Sequence, residues 1–195
     1  MRLRNGRRVR LHRMTSSAAN TATPNARVAA PRLVLTIVLA LYGIPLMRHP
    51  EAGSFLDSID LAIHETGHLV FAPFGEVIQF AGGTLFQLIV PAVFLVYFAR
   101  RGDRHAATVA LWWIAQNLWN ISVYVRDART QELPLVGGGE HDWAFLLGHF
   151  GVLAHDQGIG RTFHAIGTML WLVAVAGGLL FALTAPAADA REAAA

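Results

Sequence analysis

Residues 77–99 read VIQFAGGTLFQLIVPAVFLVYFA, a run of 23 positions without a charged side chain. A helix that crosses the hydrocarbon core of a bilayer needs about 20 predominantly apolar residues, so this run predicts a membrane span. The composition agrees, since 54% of the 195 residues are hydrophobic and only 15% are charged. Soluble domains carry about a quarter charged residues. We therefore expect an integral membrane protein whose partner is the lipid bilayer.

Other apolar runs extend this prediction along the chain. Residues 106–125 form a second uncharged run, and residues 162–185 form the last one. Residues 33–47 are short for a span, which suits either a signal anchor or a cleaved signal sequence. We favour the anchor, because the residues at 48–50 (Arg-His-Pro) do not form a small-residue cleavage site. The predicted fold class is all-α, a polytopic helical membrane bundle with about four full spans.

The domain boundaries follow from changes in composition. Residues 1–31 are rich in polar residues, alanine and proline and have no apolar period, so they predict a disordered basic tail. Residues 32–186 form a single helical membrane domain, and residues 187–195 form a disordered C-terminal tail. Met14 is an alternative start of the chain, which would remove most of the basic cluster.

The net charge of +3 has an uneven distribution. Six arginines lie within the first thirteen residues: Arg2, Arg4, Arg7, Arg8, Arg10 and Arg13. A basic tail before a membrane span sets topology or contacts anionic headgroups rather than nucleic acid. We therefore expect no nucleic-acid partner, a cytoplasmic N-terminus and a location in the bacterial inner membrane.

The arginines also predict the side on which each loop lies. The N-terminal tail and the loop with Arg100, Arg101 and Arg104 should both be cytoplasmic. The span at 33–47 then crosses the membrane outwards, and the span at 77–99 crosses back. The segment between them therefore cannot be a full crossing. We expect a partial or re-entrant helix over residues 58–71, with the loop at 126–160 on the same side of the membrane.

Residues 64–68, within that partial helix, read His-Glu-Thr-Gly-His. His64 and His68 are four residues apart, so on a helix their imidazoles project from one face and can reach one metal ion. Glu65 lies beside them, where a carboxylate can take a proton from a metal-bound water. The chain has no cysteine, so only His, Asp, Glu or water can hold the metal. Asp60, one turn before His64, is placed to orient the His64 ring.

A catalytic zinc site needs a third protein ligand and keeps the fourth position open. Residues 137–143 read GGGEHDW and provide the best candidates. His141 is our first choice and Asp142 the second, although Asp142 is equally suited to be the N-cap of the following helix. Glu140 and Asp127 remain possible ligands.

Asn117, Asn120 and Tyr124 recur at helical spacing and form a polar stripe on the span at 106–125. Such residues usually form hydrogen bonds to neighbouring helices. The alternative is that one amide binds a substrate backbone or polarises its carbonyl. Elsewhere, Gly82 with its neighbour Gly83 predicts close helix packing, and Gly67 would let a substrate backbone approach the metal.

The His-Glu-x-x-His pattern in a hydrophobic, multi-span chain resembles the integral-membrane zinc metallopeptidases of the site-2 protease class, over about residues 58–145. The resemblance implies one zinc ion at His64 and His68, with Glu65 as the general base. The substrate it implies is a peptide bond in or near the membrane, in a peptide or a membrane protein. That class takes its third ligand from an Asp-Gly pair in a later span, and this chain contains no such pair.

The sequence therefore predicts a membrane-embedded zinc-dependent hydrolase, most simply a peptidase. Two alternatives stay open. The first is a non-enzymatic membrane protein that binds a metal. The second is a structural membrane protein in which the motif is accidental and its polar residues face water.

Overall fold

The computed structural model describes residues 29–135 and 139–184, and the regular structure in these ranges is entirely helical. The all-α prediction is therefore confirmed for this part of the chain. Within these ranges the six α-helices are α1 (Ala30–Arg48), α2 (Phe55–Phe71), α3 (Glu76–Arg100), α4 (Arg104–Arg126), α5 (Asp142–His149) and α6 (Asp156–Leu183). Most of the predicted N-terminal tail with Met14, the C-terminal tail, and Gly137 and Gly138 lie outside the described residues.

Two helices begin earlier than the apolar pattern predicts, because polar residues hold their first turns. Helix α2 begins at Phe55, where the Asp57 carboxylate accepts a hydrogen bond from the Ser54 N–H at 2.5 Å. Helix α6 begins at Asp156, whose carboxylate accepts from the Gln157 N–H at 2.7 Å and from Arg129 at 2.8 Å. Hydropathy alone does not detect such polar first turns.

Among the described residues, three helical segments are long and apolar enough to cross a membrane: Ala30–Arg48, Glu76–Arg100 and Leu153–Leu183. All three expose large apolar side chains, including Leu41 at 62%, Val93 at 60% and Met169 at 66%. Surfaces of this kind are stable against lipid and not against water. The molecule thus has the features of an integral membrane protein.

Helix α4, which we predict as a further span, is not among these three segments. It is instead the most enclosed helix, with Trp112, Ala115, Trp119 and Val125 all buried. Its polar amides lower its hydropathy, and neighbouring helices cover much of its surface. Glycines of α6 allow the closest of these contacts, since a side chain at Gly167 would meet the Ala115 carbonyl oxygen at 2.9 Å.

Helices α2 and α3 form a closely packed hairpin around three glycines. A Cβ at Gly67 would overlap the carbonyl oxygen of Gly82, so the two backbones are in direct contact. Gly83 lies against the imidazole of His64 in the same way. The predicted close packing at Gly82 and Gly83 is confirmed. The expectation that Gly67 faces a substrate is wrong, because Gly67 faces α3.

Candidate metal centre

His64 and His68 lie one turn apart on α2, with their ring centroids 4.8 Å from each other. Both Nε2 atoms point at one carboxylate oxygen of Asp142, at the start of α5. The His64 Nε2–Asp142 Oδ2 distance is 2.8 Å, and the His68 Nε2–Asp142 Oδ2 distance is 3.2 Å. One ligand atom each of His64, Glu65 and His68 also lie within 4.8 Å of one another. Four potential ligands therefore meet at this point of the molecule.

The other ring nitrogens determine how the two imidazoles are protonated. His68 Nδ1 lies 2.8 Å from the Gln79 carbonyl oxygen, and His64 Nδ1 lies 3.2 Å from Gln87 Oε1. The Gln87 amide is itself oriented, since its Nε2 donates to Asn120 Oδ1 at 3.1 Å. Because both partners of Nδ1 are acceptors, each Nδ1 carries the hydrogen. Asp142 Oδ2 is an acceptor as well, so each Nε2 faces it through a proton, or through a metal ion that takes the place of the proton as in metal-binding histidines.

Once both Nε2 atoms are deprotonated, their lone pairs and the carboxylate oxygen repel one another unless a cation lies among them. Two ligand atoms of a tetrahedral zinc ion, each about 2.0–2.1 Å from the metal, are about 3.3 Å apart. The distances of Asp142 Oδ2 to His64 Nε2 and His68 Nε2, 2.8 and 3.2 Å, are slightly shorter. The donor set of two imidazoles and one carboxylate therefore fits zinc with a small outward movement of its ligands.

The electrostatics of the site point to the same requirement for positive charge. The hydrogen bond to Asp142 raises the pKa of His68 to about 8, against the opposing effect of burial. Burial raises the pKa of Asp142, but the two histidines outweigh it and leave that pKa below its ordinary value. Asp142 is thus an ionised carboxylate at 5% exposure, which is costly unless a proton or a metal ion compensates it.

The structure brings Asp142 to the histidine pair and directs His141 elsewhere. His141 Nδ1 accepts the Ala144 N–H at 3.2 Å and is therefore the N-cap of α5. Its Nε2 lies 3.4 Å from Asp127 Oδ2, and its ring lies 4.2 Å from that of Tyr124. His141, our first choice of third ligand, therefore caps α5. The N-cap role that we considered for Asp142 belongs to His141 instead.

The two remaining candidates for third ligand also contact other groups or solvent. Asp127 accepts hydrogen bonds from Thr130 Oγ1 and from the N–H groups of Glu132 and Leu133, at 2.8, 2.9 and 3.1 Å. These bonds hold the turn after α4, and they outweigh the effect of burial to lower the pKa of Asp127. Glu140 is exposed at the rim of a cleft beside the metal centre.

Asp60 does not orient His64, contrary to our expectation. Its Oδ1 accepts a hydrogen bond from Trp113 Nε1 at 2.9 Å, and the side chain is fully buried between α2 and α4. Gln87 of α3 is the residue that contacts His64 Nδ1 instead, a role that sequence reasoning missed. The available signal was a polar side chain within an otherwise apolar span, which costs free energy unless it is paired.

The two asparagines of the polar stripe differ in their positions. Asn117 is fully buried and donates through Nδ2 to the Trp113 carbonyl oxygen at 3.0 Å, so it stabilises its own helix. Asn120 binds Gln87 and lines a cleft with Glu65. The interhelical role predicted for the stripe thus applies to Asn120. Its position beside Glu65 also keeps the substrate-binding alternative open.

Two clefts open beside the metal centre, with volumes of about 340 and 370 Å³. Glu65, Tyr124 and Leu135 line both of them, so the two clefts adjoin at these residues. The first cleft has an apolar side between α2 and α4, formed by Leu61, Ile121, Val123, Leu133 and Pro134. A substrate in either cleft would therefore reach Glu65.

Comparisons of the chain with protein-family models, with curated proteins and with solved structures found no match. The arrangement of His64, His68, Asp142 and Glu65 therefore stands on its own geometry.

Proposed function

We propose that the protein is a membrane-embedded, zinc-dependent hydrolase that cleaves peptide bonds in or near the bilayer. The observation that carries this proposal is the convergence of His64 Nε2, His68 Nε2 and Asp142 Oδ2, two of whose separations are 2.8 and 3.2 Å. Three protein ligands with an acidic residue alongside are the donor set of a catalytic zinc site. The resemblance to site-2 proteases agrees with it, with Asp142 in place of the missing Asp-Gly aspartate.

When bound, zinc would polarise the scissile carbonyl and lower the pKa of a water towards about 7. Glu65 would accept the proton of the attacking water and later deliver it to the leaving amine. Its half-buried carboxylate borders both clefts, so a substrate and a water can reach it together. With zinc in place of the protons on Nε2, His64 and His68 would be neutral, and Gln87 and Gln79 would hold their second nitrogens as donors.

The apolar wall of the first cleft supports a hydrophobic peptide segment as the substrate. Leu61 of α2 and Ile121 of α4 both line this cleft, and Asn120 contributes an amide to it. Glu51, Asp57 and Gln87 also line the cleft, so it combines an apolar side with polar groups, as ligand-binding clefts commonly do. A peptide or membrane protein entering from the bilayer would bury its side chains there and present its backbone to Glu65.

We further propose that α4 crosses the bilayer as a fourth span, shielded from lipid by its neighbours, and that α2 is a partial helix. With 17 residues, α2 is about 26 Å long, which is shorter than a typical hydrocarbon core. The arginines at both ends of the first pair of spans favour a cytoplasmic N-terminus. This arrangement suits a bacterial inner membrane and puts the metal centre towards the outer leaflet.

One observation favours a second candidate, a metal-binding membrane protein without enzymatic activity. A ligand atom of Glu65 lies within 4.8 Å of ligand atoms of both histidines. If this carboxylate coordinated the metal together with Asp142, all four positions of a tetrahedral site would be filled. Closed sites of this kind are structural rather than catalytic.

A comparison of variants separates the two candidates. Purified wild type in detergent should contain about one zinc ion per chain, and His64→Ala, His68→Ala and Asp142→Ala should each lose it. The exposed residue His149 provides the matched control, since His149→Ala should retain zinc. Absence of zinc from the wild type, or its retention in Asp142→Ala, contradicts the proposed site.

Glu65→Gln tests the chemistry, with a quenched-fluorescent library of apolar peptides as substrate. The hydrolase proposal expects wild-type zinc content and no cleavage from this variant. A closed structural site instead predicts weaker zinc binding in Glu65→Gln and no cleavage by the wild type. Undiminished cleavage by Glu65→Gln would remove Glu65 from the mechanism.

A further inference from the structure

Asp142 lies at the beginning of the short helix α5. The contacts that hold this helix start come from the C-terminal end of α4. Its N–H donates to the Tyr124 hydroxyl at 3.2 Å. The Tyr124 ring lies 4.2 Å from that of His141 on one side and 5.9 Å from that of His64 on the other. Tyr124 therefore contacts both the segment that carries the carboxylate and the helix that carries the histidines.

His141 is bound more extensively than its role as a helix cap requires. Ser, Thr, Asp and Asn are the usual N-cap residues, because one short oxygen acceptor is sufficient. The His141 imidazole accepts the Ala144 N–H through Nδ1, so its Nε2 carries the hydrogen. That Nε2–H is buried in a side chain of 1% exposure and lies 3.4 Å from Asp127 Oδ2. The distance exceeds that of a good hydrogen bond, so the attraction to the carboxylate is mainly electrostatic.

Asp127 is itself held in place from the opposite direction. Its carboxylate accepts three hydrogen bonds from the turn at 130–133, and the residue caps the C-terminus of α4. The contact with Asp127 thus ties His141 to the end of α4. A rigid support of this kind behind a metal ligand typically strengthens metal binding by about 10- to 100-fold.

We infer that His141 is a positioning residue, held between Tyr124 and Asp127, which fixes the Asp142 carboxylate against His64 and His68. This inference rests on the proposed metal centre. In it, residues at the end of α4 hold the Asp142 carboxylate in its ligating position before the metal binds. It explains why adjacent residues, His141 and Asp142, are both buried although only one of them faces the histidine pair.

His141→Asn separates capping from positioning, because asparagine caps a helix well but cannot reach Asp127. We expect the zinc dissociation constant of the detergent-solubilised variant to rise by about 10- to 100-fold. Tyr124→Phe, which keeps the ring and removes the acceptor of the Asp142 N–H, should weaken binding in the same direction. The control is His149→Asn on the exposed end of α5, which should bind zinc like the wild type.

Hydrogen exchange of the apoprotein, followed in a peptide that covers residues 141–147, gives a readout without metal. Faster exchange in His141→Asn than in wild type and His149→Asn supports the inference even if zinc does not bind, an outcome that would contradict only the proposed function. Unchanged exchange in His141→Asn overturns the inference. Wild-type zinc affinity in this variant overturns it as well, since capping alone would then account for the histidine.

Discussion

Asp142 Oδ2 lies 2.8 Å from His64 Nε2, although 78 positions separate the two residues in the chain. The contact joins the motif helix α2 to the first turn of α5, which arrives from the far end of α4. It adds a third candidate ligand to a local pair of histidines. Contacts around this pair and elsewhere in the bundle lead to four predictions beyond the experiments above.

Gln87→Ala should weaken zinc binding by about 10- to 100-fold, the usual cost of losing a partner behind a metal ligand. The variant removes the acceptor that holds His64 Nδ1 at 3.2 Å and leaves the ring free to rotate. Zinc affinity measured by chelator competition tests this prediction. Gln79→Ala is the control, because His68 uses the backbone carbonyl of Gln79, which remains. Equal affinities in both variants would contradict an orienting role for Gln87.

Gly83→Ala should displace the His64 imidazole, because the new methyl group would overlap the ring. We expect lower zinc content than in the wild type, together with a folded helical bundle by circular dichroism. Gly148→Ala is the matched control, since nothing lies within 4 Å of a methyl group there. Full zinc content in Gly83→Ala would mean that the ring and the α2–α3 contact adjust without cost.

Asp60→Asn should leave zinc content unchanged and keep or raise thermal stability. Asp60 Oδ1 accepts from Trp113, whereas the buried Oδ2 has no hydrogen-bond partner. Asparagine keeps the acceptor and removes a buried carboxylate. Asp60→Ala should instead cost about 1–3 kcal/mol, because it leaves the Trp113 N–H unsatisfied. Thermal unfolding in detergent compares the two variants. Loss of zinc from Asp60→Asn would show that this carboxylate belongs to the metal centre after all.

Arg129→Gln should destabilise the junction between α4 and α6. The guanidinium donates to Asp156 Oδ1 at 2.8 Å, and the Asp156 carboxylate is fully buried. Removing the partner of a buried charge is destabilising, although the half-exposed arginine reduces the effect here. The double variant Arg129→Gln/Asp156→Asn should recover part of the lost stability, because the unpaired charge is then gone. Additive losses in this double-mutant cycle would show that the pair is not coupled.

Local features of the fold were predictable because they depend on neighbouring residues. The uncharged run at 77–99 predicts α3 to within one residue at each end. The four-residue spacing of His64 and His68 likewise determines that their rings share one face. Helix starts were less predictable where polar residues form the first turn, as at Asp156 in α6.

Long-range contacts account for the parts that were missed. Gln87 lies 23 positions from His64, and only the packing of α3 against α2 brings its amide to the ring. Asp60 was expected at His64 because it is four residues away, but the approach of α4 gives it Trp113 as a partner. Gly67 was expected to face a substrate, because the local sequence does not show that α3 packs against it.

By itself, the sequence determined the helical class, the apolar helices and the face of α2 that carries both imidazoles, because hydropathy and helical periodicity are local properties. Only the tertiary structure decided which of His141 and Asp142 faces the histidine pair. The two residues are neighbours at the start of α5, and the His141 ring accepts a hydrogen bond from the Ala144 N–H. The Tyr124 hydroxyl binds the N–H of the second residue, whose carboxylate then faces the histidines. Such a choice depends on which buried polar groups find partners in three dimensions.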